Sequence, residues 1–520
     1  MLVQNFLEQS AQKLRDKIAL ICSNERLTYG KIDEKANRVA SFLANLGIQR
    51  QDRVAIFLDN SVESVVSLFG VLKADAIFLM LSATLKAPKL SYILNDCEVK
   101  ILITHTNKLN ILSGIFSSVP SLKSIVFIGE KDRIPRIETP SAISWSEIDF
   151  LNPQFAIRNP QSNIDLDLAT IIYTSGSTGD PKGVMLTHLN MVSAATSITT
   201  YLRNQEDDII IDVLPLSFDY GLYQVLMAFK FGGTVVLEKS FTYPYQVIQK
   251  MIKEKVTGFP GVPTIYAILL GLKDLNTFDF SSLRYITNTA AALPPAHIEK
   301  LRRIFPHARI YSMYGLTECK RVSYLEPEEI DRRPSSIGRG MPNEEVWIVD
   351  EDGNRVGPGV VGELVVRGSN VMRGYWGLPE ETERVLRPGR YPGEKVLYTG
   401  DLFRMDEEGY LYFVGRKDDM IKSKGERISP KEIEQCLCAL EGVAEAAIIG
   451  VPDEILGQAI KAFIRCHDGK DLTEKDVLKH CKAHLEDFMI PQSVRFVDSF
   501  PKTSSNKIDK LALKELKVEG

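Results

Sequence analysis

Eleven consecutive residues, Tyr173-Thr174-Ser175-Gly176-Ser177-Thr178-Gly179-Asp180-Pro181-Lys182-Gly183, combine glycines, hydroxyls and a terminal lysine. Glycines such as Gly176 let backbone N–H groups turn toward an anion. The hydroxyls of Thr174, Ser175, Ser177 and Thr178 donate hydrogen bonds, and Lys182 adds positive charge; the product is a cradle for a polyphosphate. The loop is not a Walker A motif, because Pro181 stands where that motif needs its second glycine and Gly183 replaces its Ser/Thr. Phosphate binding is therefore implied without the P-loop mechanism. A flexible Gly/Ser linker is the competing reading. Such linkers lack a lysine at the exit and a buried strand at the entrance, and here the apolar run Leu168-Ala169-Thr170-Ile171-Ile172 leads straight in.

The elements that must position this loop alternate between strand-like and helical patterns. Arg53–Leu58, Ala76–Met80, Val99–Thr104 and Ser124–Ile128 read as short apolar strands, with a helix over Ser61–Leu72. Such alternation predicts parallel sheets covered on both faces. Pro135 to Pro160 carries little periodicity and reads as a connector. A second series follows: extended Asp208–Leu214, a helix over Tyr220–Phe231, a strand over Gly233–Leu237 and a helix over Tyr245–Lys255. From about Val346 short strands and turns predict a β-rich part. A polar junction, Gly415-Arg416-Lys417-Asp418-Asp419, precedes about a hundred residues with their own pattern, a small C-terminal domain. The fold class is thus α/β, with a large N-terminal domain (1–415) of α/β subdomains plus a β-rich subdomain, and a small α+β domain (416–520).

At 520 residues the chain exceeds a single hydrophobic core. A net charge of −4 gives no general attraction to nucleic acid or anionic lipid. No apolar run approaches the ~18 residues of a membrane span, and the first residues have no basic stretch before an apolar one, so a cytosolic protein is expected. The seven cysteines are scattered, with only Cys436 and Cys438 close together and no second pair at zinc spacing.

Further motifs follow the glycine loop in order: Tyr314-Gly315-Leu316-Thr317-Glu318, Tyr398-Thr399-Gly400-Asp401-Leu402, the junction at Gly415, and Lys507 near the end. Alone, each is a common turn or a surface lysine. As an ordered set they resemble the adenylate-forming superfamily: acyl-CoA synthetases, adenylation domains of nonribosomal peptide synthesis, and luciferases. The resemblance spans essentially the whole chain. It implies ATP and Mg²⁺ as cofactors, attack of a carboxylate on the α-phosphate, and transfer of the acyl group to a thiol. No enzyme nucleophile is required.

By that resemblance Thr174, Ser175, Gly176, Ser177, Thr178 and Lys182 hold the β- and γ-phosphates. Thr317 contacts the α-phosphate, Glu318 binds Mg²⁺, and Tyr314 stacks near adenine. Asp401 takes the ribose hydroxyls with Arg416 assisting. Lys507 bridges the attacking carboxylate and the α-phosphate, although Asn506 replaces the usual preceding glycine. Asp418 matches the hinge about which a mobile small domain turns, and Arg427 a position reaching the active site.

Two departures bear on the substrate. A usual GGAPL-like pocket segment is here Asn288-Thr289-Ala290-Ala291-Ala292-Leu293, whose added methyls favour a small acid unless neighbouring backbone moves to make room. The usual histidine-aromatic motif is replaced by Ser217-Phe218-Asp219, which resembles the Phe-Asp of amino-acid adenylation domains, where the aspartate pairs with the substrate's ammonium. Asp219 as a helix N-cap is the competing reading. Ser217–Gly221 and Thr317–Arg321 look most like stand-alone ligases that load L-proline onto a carrier protein, with Cys319 packing beside the substrate. The partner is then a phosphopantetheinylated carrier protein in trans, since only thirteen residues follow Lys507. The alternative is an acyl-CoA ligase for a small or medium-chain acid, using CoA.

Overall fold

The structure, a computed structural model, describes residues 1–115, 117–137, 139–150, 163–174, 181–289, 293–417, 419–423, 426–453, 456–467, 469–470, 472–502 and 508–515. It divides into two compact units. The first is Met1–Pro334 with Gly338–Glu345 and Arg367–Leu397; the second is Ser335–Ile337 with Val346–Val366 and Tyr398–Gly520. The architecture is mixed α/β, as the alternating pattern predicts.

Among the described residues the first unit holds two large sheets. In one, eight strands run in the order Gly374–Tyr375, Lys182–Thr187, Leu168–Thr174, Ile77–Met80, Arg53–Phe57, Ile101–His105, Ser124–Ile128 and Ser141–Ser144. From Leu168–Thr174 onward neighbours are parallel; Leu168–Thr174 and Lys182–Thr187 are antiparallel. All four residues of Ile77–Met80 are buried, as both faces of a parallel sheet require. The helix Val62–Lys73 begins at a reciprocal cap: Ser61 Oγ accepts from Ser64 N at 3.2 Å and Ser64 Oγ from Ser61 N at 3.1 Å.

The stretch read as a connector contains the edge strand Ser141–Ser144. Ser-Ala-Ile-Ser has one large apolar residue, so it carries no periodic signal. It is held by backbone pairing with Ser124–Ile128 and by a 2.8 Å contact between the Ser124 and Ser141 hydroxyls.

The other sheet has nine strands, parallel through its middle and antiparallel at both ends. Its strand Ile209–Asp212 is shorter than the extended run predicted, because the Asp212 carboxylate accepts from Leu214 N at 3.1 Å and turns the chain. The helix Asp219–Phe231 follows and stops at Gly232, whose φ is +81°. A Cβ on Gly221 would lie 2.5 Å from Pro215 O, so only glycine lets this helix start so close to the segment before it.

In the second unit the strand Lys395–Met405 pairs antiparallel with Leu411–Arg416, placing Asp401 opposite Arg416. A further five-stranded sheet is built on the long antiparallel pair Val443–Asp453 and Gly457–Cys466. The helices Pro430–Ala439 and Glu474–His484 share a core with it, through Ile433, Leu437, Val477 and Cys481 on the helices and Ile448 and Ile460 on the strands. No helix among the described residues is long and apolar enough to cross a membrane.

Candidate functional site

Of the glycine loop, Ser175, Gly176, Ser177 and Thr178 lie outside the described residues; its two ends do not. Thr174 closes one strand and Lys182 opens the next, and the two pair directly across the ladder. The ends of the loop are therefore fixed by a hydrogen-bonded sheet. Lys182 Nζ forms a 2.7 Å ion pair with Glu381 and stands 5.6 Å from the centre of the Tyr375 ring. The Tyr375 hydroxyl donates to Glu318 Oε1 at 2.8 Å. The loop lysine and the glutamate assigned to a metal are thus joined through one tyrosine. Glu318 is partly exposed, and a carboxylate is the hard oxygen donor that Mg²⁺ takes.

Tyr314 ends the strand Arg309–Tyr314, and the chain then doubles back. Val322 N bonds Tyr314 O at 2.9 Å, Cys319 N bonds Leu316 O at 3.1 Å, and Arg321 N bonds Cys319 O at 2.8 Å. This tight turn presents Thr317 and Glu318. It depends on Gly315, where a Cβ would come within 2.2 Å of Lys320 O and 2.9 Å of the Arg321 Cα. It also places Lys320 in the left-handed region at φ +65°, an uncommon conformation for a residue with a long side chain.

Lys320 and Arg321, which close this turn, are both buried. Lys320 Nζ lies 3.5 Å from Asp219 Oδ2, with the lysine side chain 3% and the aspartate 11% exposed. The rings of Tyr220 and Tyr223 stand 5.4 and 4.5 Å from the same ammonium. Burial pushes the Lys320 pKa down to about 7, and Arg321 pushes the same way; Asp219 and Asp212 oppose it. Asp212 itself is fully buried, and burial raises its pKa well above the carboxylate range. Arg321 Nη1 donates to Thr289 Oγ1 at 2.5 Å, bringing the pocket segment to the same turn. Ala290, Ala291 and Ala292 lie outside the described residues.

Asp219 does not cap its helix. It is the first helical residue, Phe218 occupies the cap position, and no side-chain cap bond forms there. Its negative charge in the first turn is favoured by the helix dipole, but its side-chain partner is Lys320. The Cys319 thiol is buried and its pKa is raised by that burial, while its carbonyl accepts from Asn370 Nδ2 at 2.8 Å.

In the second unit Asp401 is buried, and its Oδ1 accepts from Arg416 Nε at 3.0 Å. Gly400 N bonds Glu363 Oε1 at 3.0 Å, and Lys417 pairs with Glu363 at 3.1 Å. Arg427 lies on the strand Glu426–Ile428, opposite Lys422. Asp418 and Lys507 lie outside the described residues. Sequence reasoning missed Tyr375 and Glu381. Nothing local marks them, since their partners are 57 and 199 positions away.

A profile of the AMP-binding enzyme family matches residues 7–376, and one of the AMP-binding enzyme C-terminal domain matches residues 432–507. A long-chain-fatty-acid–CoA ligase of Bacillus subtilis (strain 168) is 31% identical over 100% of this chain and 95% of that protein. A plipastatin synthase polypeptide of the same organism is 29% identical over 99% of this chain and 19% of that protein. The crystal structure of the anthranilate CoA ligase AuaEII in complex with anthranoyl-AMP superposes with a TM-score of 0.89 at 29% identity, covering 99% of this chain and 96% of that one.

Proposed function

The chain belongs to the AMP-binding enzyme family, and on that premise we propose that it adenylates a small amino acid of the proline type and passes it to the phosphopantetheine thiol of a carrier protein. ATP-dependent activation of a carboxylic acid by an AMP-forming acid–thiol ligase, with ATP and Mg²⁺, is the chemistry of the family. A carboxylate oxygen bonds to the α-phosphorus, the bond to the β-phosphate bridge breaks, and pyrophosphate leaves. A thiol sulfur then bonds to the acyl carbon, the bond to AMP breaks, and the thiol proton is released.

The protein residues divide these tasks. Lys182 exchanges Glu381 for the departing phosphates, and Thr174, Ser175, Gly176, Ser177 and Thr178 share that task. Thr317 addresses the α-phosphate, and Tyr314 the adenine. Asp401 and Arg416 take the ribose, Arg427 adds positive charge from its strand, and Lys507 orients the carboxylate. Glu318 is the residue that would hold Mg²⁺, which neutralises phosphate charge when bound.

The observation that carries the substrate is the Asp219–Lys320 pair. A nearly closed carboxylate already holds an ammonium group at 3.5 Å. A substrate amine would compete with Lys320 for the same partner, and an acid lacking the amine would gain nothing from it. The same pair favours a second reading: Lys320 is a permanent partner, Asp219 never meets substrate, and the enzyme is a CoA ligase for a small or medium-chain acid. The long-chain and anthranilate CoA ligases among its relatives support that reading. ATP–pyrophosphate exchange against a panel of amino, aryl and fatty acids tests both. Proline-dependent exchange is expected. Exchange with fatty or aryl acids only would overturn the amino-acid reading, and thioester formation with CoA but with no carrier protein would overturn the acceptor.

A further inference from the structure

The helices Pro430–Ala439 and Glu474–His484 of the second unit bring together three side chains that the adenylation chemistry does not use. His480 and His484 are four residues apart on one helix, so they stand on the same face one turn apart. Their ring centres are 4.3 Å apart. Cys436 faces them from the other helix, and one ligating atom from each of the three lies within 4.8 Å of the others. We propose that Cys436, His480 and His484 form a binding site for a transition-metal ion of the zinc class, which clamps the two helices together.

Three features support this assignment. First, each imidazole is anchored through one nitrogen. His480 Nε2 lies 3.0 Å from Cys436 O, and His484 Nδ1 lies 2.9 Å from His480 O. When those nitrogens donate, the opposite nitrogen of each ring keeps its lone pair. A ring nitrogen held by a backbone carbonyl fixes the tautomer and the orientation of a metal-ligating histidine. Second, the ligand chemistry selects the metal. One thiolate and two imidazoles suit Zn²⁺ and disfavour Mg²⁺ and Ca²⁺, which take oxygen. Third, the spacing needs little adjustment. Tetrahedral zinc holds its N and S ligands roughly 3.5 Å from one another, so atoms now within 4.8 Å must close by at most about 1.3 Å. His484 is the last residue of its helix, where the dipole favours a cation.

Cys481, on the same helix as the two histidines, is fully buried in the core that the two helices share. His484 is exposed, so the fourth coordination position opens to solvent on its side. Binding converts the Cys436 thiol to a thiolate and releases one proton. The ion would tie two helices whose shared core is otherwise apolar.

The test uses the full-length protein without a histidine tag, reduced and stripped of metal. Zn²⁺ titrated against a chromogenic chelator is expected to bind at one ion per chain. Co²⁺ used as a probe is expected to give a thiolate-to-cobalt charge-transfer band. Cys436→Ser should remove that band, and His480→Ala and His484→Ala should each weaken Zn²⁺ binding by at least about tenfold. His484 is exposed, so its variant keeps the fold, and a cooperative thermal transition verifies this. Absence of stoichiometric Zn²⁺ in the native chain would overturn the site. So would zinc affinity unchanged in His484→Ala, or a cobalt band that survives in Cys436→Ser.

Discussion

The substitution Lys320→Met separates the two substrate readings, because it removes the ammonium beside Asp219 while keeping the length of the side chain. With a pKa of about 7, Lys320 is about nine-tenths protonated at pH 6 and about one-tenth at pH 8. If the substrate's ammonium and that of Lys320 compete for Asp219, the apparent KM for the amino acid scales as one plus the ratio of protonated to neutral lysine. It should then fall about tenfold between pH 6 and pH 8. The free amino acid keeps its own proton throughout that range. Amino-acid-dependent ATP–pyrophosphate exchange measures this directly, and in Lys320→Met the slope should vanish.

Stability is a poorer readout for the same variant. The folded pKa of Lys320 lies below its unfolded value of 10.5, so the unfolded chain binds more protons between about pH 7 and 10.5, and stability rises with pH across that window. Below pH 7 the penalty is complete, about 5 kcal/mol by the size of the shift. Lys320→Met removes this penalty but leaves Asp219 buried without its partner, itself destabilising by about 3–5 kcal/mol. The two nearly cancel, whereas the KM slope has no such offset. A KM independent of pH in the native enzyme, or an equal slope in Lys320→Met, would refute the competition and leave Asp219–Lys320 a structural pair.

Three further outcomes follow from the geometry. Glu381→Gln should free Lys182 for nucleotide; a partly exposed pair of this kind is worth about 0.5–1 kcal/mol, so the KM for ATP should fall about two- to fivefold, and an unchanged or raised KM would count against the exchange of partners. Gly315→Ala forces the turn carrying Thr317 and Glu318 off Lys320 O, and a shift of about 1 Å there should lower exchange by about a hundredfold, with near-native rates contradicting the role of the turn. Lys507→Ala should suppress adenylation far more than thioester formation from supplied acyl-adenylate; equal losses in both half-reactions would argue against its orienting role.

What could be read from sequence alone was local. The helix over Asp219–Phe231 showed in its apolar spacing, and the glycine loop between two strands showed in composition. The pairings that define the site did not show. Lys320 and Asp219 are 101 positions apart, and Lys182 and Glu381 are 199 apart. Nothing in the identity of Lys320 and Arg321 shows that both are buried; the turn at Gly315 places them there. Likewise Asp219 has the right identity for an N-cap, but the helix begins one residue earlier than a cap there would require. Local propensity placed the elements, and tertiary proximity decided the roles.

The left-handed backbone of Lys320 limits how this enzyme could be retargeted. Most side chains resist φ +65°, the β-branched and bulky ones above all, so the losses in a random library at that codon would report backbone strain more than selectivity. Glycine and asparagine accept that conformation, so they isolate the effect of deleting the charge. Diversification aimed at new acids therefore belongs at Asp219, whose helical backbone tolerates most residues, with position 320 restricted to a handful of choices. A screen arranged in that order would sample changes in pocket chemistry without first dismantling the turn that supports them.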